Sequence, residues 1–248
     1  MAFEFNPEED GPFDVEDFDD PADAEAARLD LGGVLVPVPD GSQLNVEVNE
    51  QGVPNAVWIM TPNGRFSVAA YAAPKTGGLW REIAAELAES LRNDNAQARI
   101  EDGPWGREVV GLPVPQPGQG QVVMRFIGAD GYRWMIRCVV VGTEETIDAI
   151  ADEARTSLAD TVVRRGDTPL PVRSPLPVQL SEPLLEQLRP GGRMVIPAGV
   201  AEMLVLIGTP MWLGPWLAGQ VRRRHWPSTK ADPEAPSASR AVHGQIAN

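Results

Sequence analysis

The sequence predicts an α+β fold, in which a mostly antiparallel sheet carries two helices packed on one face. The main observation is the stretch 121–142, QVVMRFIGADGYRWMIRCVVVG, where apolar side chains alternate with a period of two on both sides of an Asp-Gly pair. Two further segments place apolar residues at helical spacing. The 24 glycines and 24 prolines predict many turns between short strands.

Composition divides the 248 residues into four regions. Residues 1–30 hold twelve acidic residues and one basic residue, and we expect a disordered acidic arm because like charges repel one another. Residues 31–180 form the predicted α+β domain. An apolar C-terminal segment follows at 181–226, and a tail rich in Pro, Ser and Ala, which we expect to be disordered, occupies 227–248.

Net charge, cysteine content and the first residues restrict the class of protein. The net charge of −14 argues against nucleic-acid binding, which needs a basic surface. The single cysteine excludes an internal disulfide, as is usual in a reducing compartment. The chain begins MAFEFNPEEDG, which lacks the basic and apolar regions of a secretory signal. We therefore expect a cytoplasmic protein, with association to a membrane as an alternative.

The central stretch predicts a β-hairpin whose turn is the GADG sequence at 128–131. If Gly128 opposes Gly131, or if the pairing shifts by two, Arg125 shares a face of the sheet with Trp134. That face should be buried, so the guanidinium must stack on the indole or meet a carboxylate. Two interpretations stay open, namely an arginine whose stem packs while its head reaches water and a functional anion site.

The remaining predicted strands are short and bounded by turn signals. An Asn-Gly pair at 63–64 predicts a hairpin between 57–60 and 65–71. Other strands are expected at 34–38, 44–48, 99–101, 107–112 and 162–165.

Two helices and one extended segment complete the predicted domain. Trp80, Ile83, Leu87 and Leu91 form one helical stripe, and that helix should end near residues 93–95. A second helix should begin at Thr143, a good N-cap residue, and run to about Leu158. The Pro-rich run 165–183 predicts extended backbone that either wraps the domain or binds a groove on a partner.

Several of these segments together resemble a known family. They are GGVLVPVPDG, APKTGGLWREI, EDGPWGREV, GADGYRWMIR and VVRRGDTPLPVRSPLPV, which lie between residues 32 and 180. In this combination the chain resembles an actinobacterial family defined by domain of unknown function 3710. The resemblance implies an actinobacterial source and a cytosolic setting, and it assigns no catalytic residue.

The acidic arm carries candidate contact residues. Phe13 and Phe18 stand among acidic side chains, a pattern typical of disordered segments that dock on a basic groove of a partner. A solvated tail without a partner is the alternative.

The apolar C-terminal segment carries a second group of candidate contacts. Residues 203–221 are nineteen residues without a charge, followed by three arginines. This length suits a membrane span, but prolines at 210 and 215 weaken a straight helix. Tryptophans beside arginines suit a membrane interface or a docking site on a protein. The residues concerned are Trp212, Trp216, Arg222, Arg223 and Arg224.

Catalytic and metal-binding patterns are not recognised in the sequence. Both histidines, His225 and His243, lie outside the predicted domain, so histidine-dependent nucleophilic sites cannot form within it. No Cys/His spacing suits zinc, and no glycine-rich phosphate or dinucleotide loop is present. We therefore expect no cofactor. Glu108 and Asp130 remain as candidates for carboxylate chemistry.

These observations predict a non-enzymatic interaction or adaptor protein whose arm and apolar segment contact a protein partner. A peripheral membrane protein anchored through 203–226 is one alternative, and a small-ligand-binding domain that uses Arg125 and Trp134 is another. The sequence does not identify the partner. The candidate contacts are Phe13, Phe18, Arg125, Trp134, Trp212, Trp216, Arg222, Arg223 and Arg224.

Overall fold

The computed structural model describes residues 3–6, 9–48, 54–115 and 120–180. The apolar segment at 181–226 and the tail at 227–248 lie outside the described residues, and so do the predicted contacts Trp212, Trp216 and Arg222 to Arg224. Within the described part, antiparallel sheets and helices form an α+β fold, which confirms the predicted fold class.

Within the described residues, seven strands form one antiparallel sheet in the order β4-β5-β6-β10-β9-β8-β7. A two-residue turn at Pro62 and Asn63 joins β5 to β6, because Thr61 pairs with Gly64, so the predicted hairpin is present. In this order the strands are β4 (Gln43–Val48), β5 (Pro54–Thr61), β6 (Gly64–Ala72), β10 (Trp134–Gly142), β9 (Val123–Asp130), β8 (Gly106–Leu112) and β7 (Gln97–Gly103).

The central hairpin is present, but its turn lies three residues later than predicted. β9 continues through Asp130, which pairs with Met135, and the chain reverses at residues 131–133. Gly128 therefore lies inside a strand, where a β-carbon would approach the Trp80 indole to 2.4 Å. The glycine is needed for close packing of a helix and not for a turn.

The two long helices lie on opposite faces of this sheet, so the predicted arrangement on one face is wrong. Helix α2 (Leu79–Asn93) packs with Phe126, Met135 and Val139. Helix α3 (Ile147–Ala159) packs with Ile136, Cys138 and Val140. Odd and even residues of β10 point to opposite faces, and both rows are apolar, so both faces need a cover.

The acidic arm is folded, so the prediction of disorder for residues 1–30 is wrong for its described part. In the described residues a second, four-stranded sheet has the order β1-β11-β3-β2. Its strands are β1 (Phe13–Asp14), β11 (Val162–Val163), β3 (Val34–Val36) and β2 (Leu29–Asp30), and the short helix α1 (Pro21–Glu25) lies between β1 and β2.

Apolar burial explains why this arm folds in spite of its charge. Ala24 is fully buried against Leu35 and Val162, and Phe13 and Phe18 pack on the same cluster. Most of the described acidic side chains remain at the surface, and some cap backbone N–H groups, as Asp20 does for Ala22 at 2.9 Å. The repulsion between carboxylates is therefore weakened by solvent while the apolar contacts persist.

The described part of the Pro-rich run, 165–180, wraps the body as an extended strap, which confirms one of the two predicted interpretations for these residues. The Leu176 N–H donates to the Ala70 carbonyl of β6 at 2.8 Å. The Gly33 N–H donates to the Pro177 carbonyl at 3.0 Å. The strap thus joins the edge of β6 to the small sheet.

Candidate functional site

A buried cluster of charged side chains lies between the seven-stranded sheet and α3. Arg125 on β9 is opposite Val140 and therefore shares a face with Trp134, as predicted. Arg125 is 6% exposed as a residue, and its guanidinium meets carboxylates rather than the Trp134 indole. It donates to Glu108 at 2.9 Å, to Glu101 at 3.0 Å and to Asp148 at 3.2 Å.

Glu108 joins this cluster to α3. Its side chain is enclosed, with the residue 1% exposed, and it accepts two hydrogen bonds from Arg155, at 2.7 and 3.1 Å. Arg155 also donates to Asp152 at 2.8 Å. Burial alone would lower the pKa of Arg155, but the hydrogen bonds and charges of Glu108 and Asp152 together outweigh it, so the pKa is raised.

The cluster is a structural element and not an open site. Helix α3 covers one side of Arg125, and within the described residues only the Nε of its guanidinium finds no acceptor. Trp134 is 3% exposed, so a ligand has no access to the face that these two residues share. The arrangement holds α3 on the sheet through paired charges.

Asp130, the other candidate for carboxylate chemistry, caps helix α2. Gly78 precedes that helix and cannot supply a side-chain cap. The Asp130 carboxylate accepts the Trp80 N–H at 3.0 and 3.2 Å instead. A carboxylate from β9 thus occupies the positive end of α2.

The folded arm accepts hydrogen bonds from two tryptophans of the body. The Trp134 Nε1–H donates to the Asp14 carboxylate at 2.8 Å, and the Trp105 Nε1–H donates to the Gly11 carbonyl. The ring of Phe5 meets Trp105 edge-on at 5.2 Å between centroids.

The predicted contacts in the arm are packed within this protein. Phe13 and Phe18 meet at 6.0 Å between ring centroids, and the Arg28 guanidinium lies 5.5 Å from the Phe18 centroid. Neither ring is presented as a free anchor to a partner.

A different surface exposes an aromatic ring together with basic side chains. We call it the basic end and define it as Lys75, Tyr132, Arg133 and Arg165. Tyr132 is 55% exposed at the tip of the β9–β10 turn, and the Lys75 Nζ lies 5.8 Å from its ring centroid.

Backbone hydrogen bonds hold the basic end in place. The Arg133 carbonyl accepts the Ala73 N–H at 2.9 Å and the Arg165 Nε–H at 3.2 Å. Desolvation and the neighbouring charge of Arg133 lower the pKa of Arg165. The turn after β9, the loop after β6 and the start of the strap therefore form one surface.

Sequence reasoning did not identify the basic end. Its residues come from three separate loops, and the turn at 128–131 was placed too early to expose Tyr132. Arg133 adopts a φ of 64°, which marks the actual turn. Tyr132 and Arg133 are not among the residue types that favour turns, so local turn chemistry gave no signal for a turn at 131–133.

The described residues provide neither a metal-binding group nor a membrane-spanning helix. No group of His, Cys, Asp and Glu among them has the geometry to hold a metal ion. None of the described helices combines the length and hydropathy that crossing a membrane requires.

The fold and its closed charged cluster define an α+β domain built around a sheet covered on both faces. This chain belongs to the family described as Protein of unknown function (DUF3710), whose model matches residues 11–187. The match confirms the resemblance and begins inside the arm, in agreement with the folded small sheet.

Two solved structures are distantly similar to this chain. A crystal structure from Bacteroides thetaiotaomicron VPI-5482 at 1.50 Å resolution has a TM-score of 0.37 and 15% identity, over 56% of this chain and 48% of that one. The chain thus spans about half the length of that protein. The solution structure of cyanobacterial PsbP (CyanoP) from Synechocystis sp. PCC 6803 has a TM-score of 0.33 and 12% identity, over 53% of this chain and 87% of that one. The comparison with curated proteins found no match.

Proposed function

We propose that this protein is a non-enzymatic interaction protein that binds an acidic segment of a partner protein through its basic end. The observation that carries the proposal is the exposed ring of Tyr132 with Lys75 against it, in a chain of net charge −14. In an acidic protein, a surface that combines an exposed aromatic ring with cations is a local exception that favours an oppositely charged partner.

The engagement of both candidate carboxylates supports the non-enzymatic part of the proposal. Glu108 accepts from Arg125 and Arg155 inside the body, and Asp130 accepts from the first turn of α2. A general acid or base must reach the proton of a substrate. To act on a substrate, each of these carboxylates would first have to break the hydrogen bonds that it accepts within the fold.

The composition of the basic end supports a protein-binding role. Tyrosine and arginine are enriched among the residues that contribute most to protein interfaces. Cations stacked on a tyrosine contribute about 0.5–1 kcal/mol at exposed sites. The backbone of the surface is already ordered, since Arg133 bonds to both neighbouring loops, so less entropy is lost on binding.

Charge favours an acidic partner segment. Three positive charges lie at the basic end, from Lys75, Arg133 and Arg165. Of the acidic residues beside them, Asp130 is engaged at the start of α2 and Asp167 lies 4.0 Å from Arg133. Binding should therefore weaken as salt is added, because exposed charges are screened within about 10 Å at 0.1 M ionic strength.

Site-specific photo-crosslinking in the native host tests the proposal. A benzophenone amino acid replaces Tyr132 in one variant and Glu89, an exposed residue of α2, in the matched control. We expect position 132 to capture a protein through a segment rich in Asp and Glu, and position 89 not to capture it. Equal capture from both positions, or capture through a basic segment, would refute the proposal.

A further inference from the structure

The outer edge of β7 is open in the described part of the chain. β7 is the last strand of the seven-stranded sheet and pairs with β8 alone. Its residues Arg99, Ile100 and Asp102 are exposed, and Ile100 is one of few large apolar side chains at the surface, with 37% exposure. An open strand edge that carries an apolar residue is a template for pairing with another strand.

The pairing with β8 determines which backbone groups face outward. Gly103 pairs with Gly106 across a two-residue turn, so these two residues exchange hydrogen bonds. Along the hairpin, the residue pairs then alternate between non-hydrogen-bonded and hydrogen-bonded pairs. Two contacts agree with this alternation. The Trp80 Nε1–H reaches the Arg107 carbonyl at 2.7 Å, and an Arg92 Nη2–H reaches the Ala98 carbonyl at 3.1 Å, so neither carbonyl is directed into the hairpin. The outward groups of β7 therefore belong to Ala98, Ile100 and Asp102.

These groups suit one particular occupant, a second copy of the same strand. In an antiparallel pair with a two-fold axis at Ile100, residue 100 opposes residue 100 of the second copy, and residue 98 opposes residue 102. All three outward residues then form hydrogen bonds in the spacing of an antiparallel ladder, in which the Ala98 carbonyl uses its second lone pair because it already accepts from Arg92. A closed, isologous dimer is also the most common form of self-association.

Side-chain charges are complementary in the same register. Arg99 of one copy opposes Glu101 of the other on the face that carries α3, and the symmetry repeats this pair. On the other face, Ala98 of one copy opposes Asp102 of the second copy. Arg92 donates to the Ala98 carbonyl, so its guanidinium lies close to where the Asp102 carboxylate of the second copy would be. Ile100 would meet its own counterpart at the axis. Charges that normally protect a strand edge thus match one another across this axis.

We propose that two copies of this chain associate through β7, antiparallel and with the two-fold axis at Ile100, to form one continuous sheet. The surface is separate from the basic end, so the dimer and the proposed function can fail independently. Residues 181–248, which lie outside the described part, are the other candidate occupant of this edge.

Cysteine crosslinking of the full chain tests the proposal. In the proposed pair the Cα atoms at position 100 are about 5.5 Å apart, within the range of a disulfide. At position 99 the same atoms are diagonal neighbours, about 7–8 Å apart or more, and beyond that range. The native Cys138 is fully buried and does not compete.

With oxidised glutathione as the oxidant, we expect Ile100→Cys to form a disulfide-linked dimer at least ten times faster than Arg99→Cys.

A second measurement uses charge at the axis. Ile100→Lys and Ile100→Glu should each sediment as a monomer, and an equimolar mixture should regain the dimer. Equal crosslinking at both positions, or a wild-type chain that sediments as a monomer at all concentrations, would overturn the proposal. If residues 181–248 cover the edge instead, the wild-type chain would sediment as a monomer at all concentrations.

Discussion

Arg125 on β9 donates a hydrogen bond to Glu108 on β8 at 2.9 Å, beneath α3. The pair is buried, and Arg155 completes it from the helix at 2.7 Å. A carboxylate held between two arginines neutralises charges that would otherwise oppose the packing of α3. The stability of this part of the body should therefore depend on Glu108 far more than on the exposed acids around it.

Replacing Glu108 with Gln should destabilise the protein strongly, because two arginines would lose the charge that compensates them. Removal of one partner from a buried ion pair costs about 3–5 kcal/mol. Asp148→Asn is the control, since the Asp148 side chain is 89% exposed and the loss of an exposed partner costs about 0–1 kcal/mol. Urea unfolding followed by circular dichroism measures both. Similar losses for the two variants would contradict the structural role given to Glu108.

The contribution of Glu101 should depend on pH. The hydrogen bond from Arg99 holds the pKa of Glu101 below its usual range, with the charge of Arg125 adding to the effect. A carboxyl whose pKa is lowered in the folded state stabilises the protein above the pKa of the unfolded chain, and this stability is lost as the pH falls through the folded value.

Unfolding of the wild type and of Glu101→Gln between pH 7 and pH 3 measures this dependence. At pH 7 the wild type should be more stable by no more than about 1 kcal/mol, because the carboxylate is partly exposed. The difference should shrink as the pH falls. A difference that is constant or grows in acid would show that Glu101 does not act through its charge.

The contact between the arm and the body should be measurable through Asp14. Its carboxylate accepts the Trp134 Nε1–H at 2.8 Å and the Glu16 N–H at 3.1 Å. Asp14→Ala should lower the free energy of unfolding by about 1–3 kcal/mol, because a buried donor loses its acceptor. Asp19→Ala, at an exposed position of the same arm, should stay within about 0.5 kcal/mol of the wild type. If neither variant changes stability or tryptophan fluorescence, the arm does not pack on the body in solution.

The strand periodicity and short-range turn signals predicted much of the large sheet. The Asn63-Gly64 hairpin lies where the Asn-Gly pair placed it, and Arg125 shares a face with Trp134 because side chains alternate strictly along a strand. The partners of Arg125 come from β7, β8 and α3, so they depend on tertiary contacts that a local pattern does not contain.

Three predictions went wrong for identifiable physical reasons. Gly128 looked like a turn residue, but its missing side chain makes room for Trp80. Both residue rows of β10 are apolar, which should have indicated one helix on each face. The acidic arm looked disordered because its twelve carboxylates form a dense block of like charge, yet Ala24 and Phe13 pack on Leu35 and Val162. The basic end combines three loops, and no local pattern predicts such a combination.

The most direct test of the proposed function is the affinity of the basic end for its partner. The acidic segment captured from position 132 would be synthesised as a labelled peptide and titrated with the full chain by fluorescence anisotropy. Lys75→Glu reverses a charge at the Tyr132 ring, and Arg81→Glu reverses another exposed charge, on α2. We predict that Lys75→Glu weakens binding about tenfold, equivalent to about 1.4 kcal/mol, while Arg81→Glu leaves it within about twofold of the wild type. Equal effects of the two reversals, or no effect of either, would contradict the account.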